Sequence, residues 1–316
     1  MRRLAIALLA LVVMLPGAQA AELTKILVGF PPGQATDFIA RPLADRLSPM
    51  LNETVIVDNR PGQGGSIALA ALAQSPADGR TMVLAPLASL VVNPHLYKTV
   101  GYDIRKNLAP VALVTDLPML LVVNPSLPIT SVPELIAYAK ANPDKLSNPS
   151  SGNGTLSHLG MEVFKQDAGI TIQHVPYRGS VPAMTDLMSG IVSVAMDTVA
   201  VTEPFIRAGK LRLIASAYGK RVPSFPDTPT VAEQGFPNVD FAAWLGIVVA
   251  KGTPQARIDQ LGEAIGKIVQ TQDMEEKFKK LGTIPHSLGP HDFAAFLDKE
   301  DARWSGIVKG AGVTVE

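Results

Sequence analysis

Apolar positions along this chain recur with a period that switches between two and about 3.6 residues, the rhythm of strands alternating with helices. Lys25–Phe30 is an apolar run of strand length, and Pro31-Pro32-Gly33 cannot extend it and forces a turn. Thr36 and Asp37 then supply N-cap chemistry for a segment with apolar residues at Phe38, Ile39, Leu43 and Leu47. Thr54–Val57 is a β-branched strand, Asp58–Gly65 a Gly/Pro turn, Ser66–Gln74 an Ala/Leu-rich helix and Arg80–Ala85 another strand. Strand–helix order with short turns predicts an α/β fold, a parallel sheet with right-handed helical crossovers.

Near Val111–Val123 the pattern changes: two apolar runs flank Thr115-Asp116-Leu117-Pro118, which reads as a strand pair leaving the first unit. A second α/β series follows. It has helices at Val132–Ala141, Leu156–Gln166 and Val181–Met188, strands at Ile170–Val175, Ile191–Met196 and Lys210–Ser216, and a Pro-rich loop at Pro223–Pro229. Leu245–Ala250 is a return strand, and three helices close the chain, about Gln255–Gln270, Met274–Leu281 and Pro290–Gly310. The order predicts two α/β lobes around a ligand cleft joined by two crossings: residues 22–123 plus 246–316 in one lobe, 124–245 in the other.

The first twenty residues belong to neither lobe. Arg2 and Arg3 precede an apolar run of about twelve residues, too short to span a bilayer comfortably. Pro16-Gly17 breaks that run and Ala18-Gln19-Ala20 is a small-x-small cleavage signal, so residues 1–20 are expected to be a secretory signal peptide cut near Ala20/Ala21. Removing it takes two Arg from 28 basic residues and none from 28 acidic ones, leaving a net charge of −2. That balance, with few aromatics and no basic stripe, gives no footprint for nucleic acid. Zero cysteines exclude disulfides and thiol chemistry, so an exported fold must rest on its apolar core.

Two turns carry candidate chemistry. The first, Phe30–Asp37, aims backbone N–H groups at the positive end of a helix dipole into the space beyond a strand, an anion site needing no Lys or Arg. The same pattern also reads as an ordinary βα turn. The second is Asn148–His158, where Gly152 and Gly154 permit positive φ, and Thr155 or Ser151 can cap the next helix while presenting hydroxyls. Two such turns across a cleft would clamp a small carboxylate.

With both turns in view, a resemblance can be named. GFPPG-x-x-x-D, VDNRPGQGG, PADGRT, the Ser-Gly-x-Gly-Thr-x-x-His loop, HVPYRGSVPAMTDLMSG, IRAGKLR and PDTPTVAEQG resemble, in order from about Lys25 to Pro254, the Bug (TctC-type) family of periplasmic solute-binding proteins. The resemblance implies a type II periplasmic-binding fold closing on a small organic acid or amino-acid-like ligand, with no cofactor or metal, and delivery to membrane permease subunits. It carries ligand contacts to Phe30, Pro31, Gly33, Ala35, Thr36 and Asp37 in the first loop, and to Ser151, Gly154, Thr155 and His158 in the second. Tyr177, Arg178 and Asp197 match positions near the cleft or hinge. Gln34 departs from the family's usual second Gly, placing an amide side chain where it contacts the ligand or narrows the pocket.

Arg178 reads as a carboxylate clamp or as a surface or interdomain ion pair. Asp197 reads as the acceptor for a ligand amine or as a cap acting through Thr198. His158 and Glu162 share a helix face, but without an HExxH or Cys partner they make a poor metal site, and His158 packing under its loop reads better. Gly62-Gln63-Gly64-Gly65 follows a strand but has Ile67 where a dinucleotide fingerprint needs its third glycine. The expectation is therefore a non-enzymatic, monomeric, periplasmic receptor for transport. A sensing receptor for a membrane signalling protein, and an exported hydrolase or isomerase, are the alternatives.

Overall fold

A computed structural model describes residues 23–311; the leader and its cleavage point lie outside the described residues. The chain opens with β1 (Leu23–Val28), α1 (Ala35–Leu51), β2 (Thr54–Asn59), a 3-10 turn at Gln63–Gly65 running into α2 (Ser66–Ala73), and β3 (Thr81–Pro86). The three strands are parallel in the order β3-β1-β2. Alternation sends Ile26 and Val28 toward Ile39, Leu43 and Leu47 of α1, and Leu27 toward Leu69 and Leu72 of α2, so each face of the sheet is covered by one helix of the series.

A π-helical turn (Ala88–Val92), α3 (Asn93–Leu96) and α4 (Ile104–Asn107) lead to β4 (Leu108–Val123). Where the sequence suggested a strand pair, there is one strand of 16 residues, buried along nearly its whole length. Its two prolines are tolerated because Pro110 adjoins a register shift and Pro118 sits where β4 changes partners, places where a missing N–H breaks no ladder.

The second series comprises α5 (Val132–Ala141), β5 (Ser147–Ser150), α6 (Leu156–Ala168), β6 (Gln173–Pro176), α7 (Ser180–Ser189), β7 (Val194–Thr198), α8 (Val199–Arg207) and β8 (Arg212–Ser216). The chain returns through β9 (Ala242–Ala250) and closes with α9 (Gln255–Val269), α10 (Gln272–Lys280), β10 (Ile284–Leu288) and α11 (Pro290–Ala311). The expected strand Ile191–Met196 begins later, at Val194, so Asp197 lies inside β7 and not after it. Neither β5 nor β10 was expected.

Leu108–Pro118 of β4 pairs antiparallel with β9, and part of this stretch also pairs with β10. Met119–Val123 pairs with β7, and Leu120–Val123 with β8. One strand therefore belongs to both lobes. The cores follow suit. On one face a single apolar cluster runs from Leu69 and Trp304 through Met119, Leu121 and Val123 to Leu159 and Phe164. On the other face the core is split between a cluster around α1 and α9 and a separate one around α7 and α8.

Candidate functional site

The β1–α1 turn is organised by Asp37. Gln34, not Thr36 or Asp37, occupies the N-cap of α1, with extended backbone and no side-chain cap bond. Asp37 lies one turn in and reaches back: its buried carboxylate accepts the Gly33 N–H at 2.9 Å, the Arg41 guanidinium at 2.9 Å on both oxygens, and Asn59 Nδ2 at 3.0 Å. Asn59 also donates to the Phe30 carbonyl at 3.0 Å, tying β2 to the start of the turn. Burial alone would raise the Asp37 pKa; the Arg41, Gly33 and Asn59 bonds outweigh it and hold it below the ordinary value. Gly33 has φ +84°, which lets the turn fold back so that its amide meets that carboxylate.

With Asp37 spent in this way, the donors left at the turn are mostly backbone amides. The N–H groups of Ala35, Thr36 and Asp37 and the Thr36 hydroxyl have no partner among the described residues. Pro31, Gly33, Gln34 and Ala35 are exposed, and Phe30 is half-buried against Gly65 of the next turn, which also packs on Ser89.

The β5–α6 turn is held by hydroxyls and imidazoles. Ser157 Oγ, buried at the start of α6, lies 2.9 Å from both the Ser151 amide and hydroxyl, and 3.0 Å from the Thr155 hydroxyl. Thr155 takes the N-cap position as expected, but its hydroxyl donates back to the Gly152 carbonyl at 2.7 Å and caps no helix amide. His158 is buried beneath the turn, its Nδ1 accepting the Gly154 N–H at 3.1 Å. That bond fixes the proton on Nε2, which faces Glu162 Oε1 at 3.7 Å. Among the described residues, the amides of Asn153, Leu156 and Ser157 have no partner.

Tyr177 and Arg178 follow β6, where the Tyr177 amide bonds the Ser150 carbonyl and the Gly179 amide bonds the Ser151 carbonyl. Tyr177 Oη donates to Asp186 at 2.7 Å; burial, then that carboxylate, push its pKa up to about 12. Arg178 is exposed, and among the described residues its side chain has neither an ion pair nor a hydrogen bond, contrary to the interdomain pair weighed above. Asp197 is buried and spent on the Ser180 hydroxyl and the Thr198 amide, both at 2.7 Å, with burial raising its pKa. The two turns meet through neighbours: a Cβ on Gly154, whose φ is +73°, would strike Leu96, just beyond the π-turn that carries Ser89.

Asn59, Ser157 and Ser180 organise these turns and were not singled out from sequence. Asn59 ends a strand next to a Gly/Pro turn, a position that could have flagged it. Nothing local marks Ser180, whose partner is 17 residues away.

Comparison with known proteins agrees with this layout. The tripartite tricarboxylate transporter family receptor description matches residues 39–313. The chain belongs to this family. It is 36% identical to protein BugT of Bordetella pertussis over 293 residues, covering 92% of this chain and 90% of BugT. Among solved structures, Rpa4515 of R. palustris, determined with adipate, superposes with a TM-score of 0.81 at 34% identity, covering 93% of this chain and 98% of that one. The periplasmic binding protein BugD gives 0.77 at 32%, covering 93% and 99%. MatC of Rhodopseudomonas palustris, with bound malate, gives 0.76 at 26%, covering 91% and 99%. The fold is thus the α/β periplasmic-binding fold of the Bug/TctC receptors, and the family is one of carboxylate-binding receptors and not of enzymes.

Proposed function

We propose that this receptor captures a small dicarboxylate between lobes 22–123 plus 246–316 and 124–245, and delivers it to the membrane permease of a tripartite transporter. The observation that carries this reading is the pair of unpartnered amide sets, Ala35–Asp37 at α1 and Asn153, Leu156 and Ser157 at α6. Each lies at the positive end of a helix of more than ten residues, where a carboxylate is stabilised by dipole and hydrogen bonds together. The adipate and malate held by relatives supply the chemical class. Phe30, Pro31, Gly33, Gln34, Tyr177 and Arg178 line or edge the cleft. Asp37, His158 and Asp197 support its walls from behind. The protein works as a periplasmic monomer after loss of residues 1–20.

The same accounting disfavours amino acids. Both buried acids near the turns are spent, Asp37 on Arg41, Asn59 and Gly33, and Asp197 on Ser180 and Thr198. A ligand ammonium would lie among N–H donors with no free carboxylate to meet it, a costly burial. A thermal-shift and calorimetric panel on residues 21–316, pairing succinate with aspartate and glutarate with glutamate, tests both points. The expected result is a saturable shift with the unaminated acid and at least tenfold weaker binding of its amino partner. Preference for the amino acids overturns the ammonium argument, and no response to any carboxylate overturns the ligand class.

A further inference from the structure

His174 of β6, the first residue of the HVPYRG stretch, sets a second imidazole against the second turn. Its imidazole stacks on that of His158, with centroids 3.7 Å apart and planes within 7°. Its Nε2 lies 2.6 Å from Ser150 Oγ, which in turn takes the Gly152 amide at 3.2 Å. The stacked pair therefore grips the turn at both ends, Ser150–Gly152 through His174 and Gly154 through His158. The parallel pairing of β5 with β6 makes this possible: Asn148 is in register with His174 and Ser150 with Pro176, so the ring of His174 reaches up toward the turn.

We infer that His174 is a positioning residue, which through Ser150 and His158 holds the Ser151–Thr155 turn so that the Asn153, Leu156 and Ser157 amides face the cleft. The inference rests on the ligand site proposed above. His158 must stay neutral for the grip to hold, because a protonated His158 loses the lone pair that receives the Gly154 N–H. Burial first, then positive charge nearby, lowers both imidazoles to about 4. The charged groups that face the pair are Glu162 and Lys165 of α6, and these are bonded to each other at 2.6 Å. The second Lys165 contact is the Ile172 carbonyl, at 2.9 Å. Glu162 is thereby shared with a lysine and leaves the imidazoles neutral.

The test uses the mature chain, with adipate and malate as probes. In the ligand-free protein, NMR titration is expected to find both imidazoles protonating near pH 4. His174→Ala is expected to open the site to water, raise His158 toward 6.5 and speed exchange of the Gly154 amide. His174→Phe keeps a ring on His158 but drops the bond to Ser150; it is expected to leave the His158 titration low and to speed exchange at Gly152 alone. At pH 7, His174→Ala is expected to weaken probe binding about tenfold and His174→Phe less. The acid limb of binding is expected to move from near pH 4 in the parent to near pH 6 in His174→Ala. A His158 that titrates near 6.5 in the parent, or His174→Ala binding within twofold of the parent from pH 7 to 5, overturns the inference. Gly154→Val separates the two levels: if it too binds both probes at full strength, the turn is not a ligand wall and the site reading fails with it. If Gly154→Val abolishes binding while His174→Ala does not, only the role of His174 falls.

Discussion

On the proposed site reading, the β1–α1 and β5–α6 turns solve one problem with opposite electrostatics. Both must leave a row of backbone amides unpartnered while staying rigid. The β1–α1 turn is braced by an ionised acid, Asp37, bonded to a cation, an amide side chain and a backbone N–H. The β5–α6 turn is braced by uncharged groups, four hydroxyls and two stacked imidazoles. A negative charge buried 3 Å from the Gly33 amide is affordable in the first turn because Arg41 neutralises it. In the second turn the acid facing the imidazoles, Glu162, is bonded to Lys165, so a protonated ring has no free counter-charge and the brace is neutral. In both turns the rigidity comes from side chains that lie behind the unpartnered amides.

The largest effect expected from breaking this contrast is on the first turn. Asp37→Ala leaves the Gly33 amide, Asn59 and Arg41 without their acceptor and is expected to cost about 3 kcal/mol of stability, read by urea unfolding, with loss of carboxylate binding. Asp37→Asn, with its charge gone but its shape kept, is expected to fall between the two proteins. Next comes acid. The unfolded imidazoles take protons from about pH 6.5, the folded ones only near 4, so His158 and His174 are expected to make the melting temperature fall as pH drops through that window. Above 6.5 their contribution is constant. Asp37, with its lowered pKa, adds its own loss only below about 4, so a two-stage acid profile separates the turns.

Smaller effects come from the two glycines. Gly33 and Gly154 both have positive φ, which costs a non-glycine residue roughly 1 kcal/mol, but a Cβ on Gly33 meets open space while one on Gly154 meets Leu96. Gly33→Ala is therefore expected to cost stability alone, and Gly154→Ala both stability and affinity, measured by denaturation and calorimetry on the same samples. Smallest is Arg178→Ala. With no partner to lose it is expected to leave the melting temperature unchanged and to weaken a dicarboxylate tenfold at most, about 1.4 kcal/mol.

The alternation of strands and helices was legible because each helix of the first series presents its apolar stripe to one face of the sheet, as Leu27 and Ile26 do in opposite directions. The continuity of β4 was not, because Pro118 looks like a stop when its missing N–H is in fact harmless at a change of partner. The positions of the two turns were visible in their Pro/Gly and Gly/Ser composition. The role of Asp37 was misread, since capping chemistry at N3 differs from that at the N-cap only by which backbone amide is met. The bond between Ser150 and His174 spans 24 residues and exists only because β5 and β6 pair in parallel. Pairings of that kind leave no local trace.

Because β4 lends one end to each lobe, neither lobe is a separable piece of chain. A fragment cut at Pro118 would strip β7 and β8 of their common neighbour, and the apolar cluster shared across Met119, Leu121 and Val123 would be opened in both halves at once. The two lobes are therefore expected to melt in a single cooperative transition and to resist being grafted onto other receptors one at a time. If the two turns hold the ligand as proposed, what this receptor captures is to be altered by rewriting them, with the shared strand left whole.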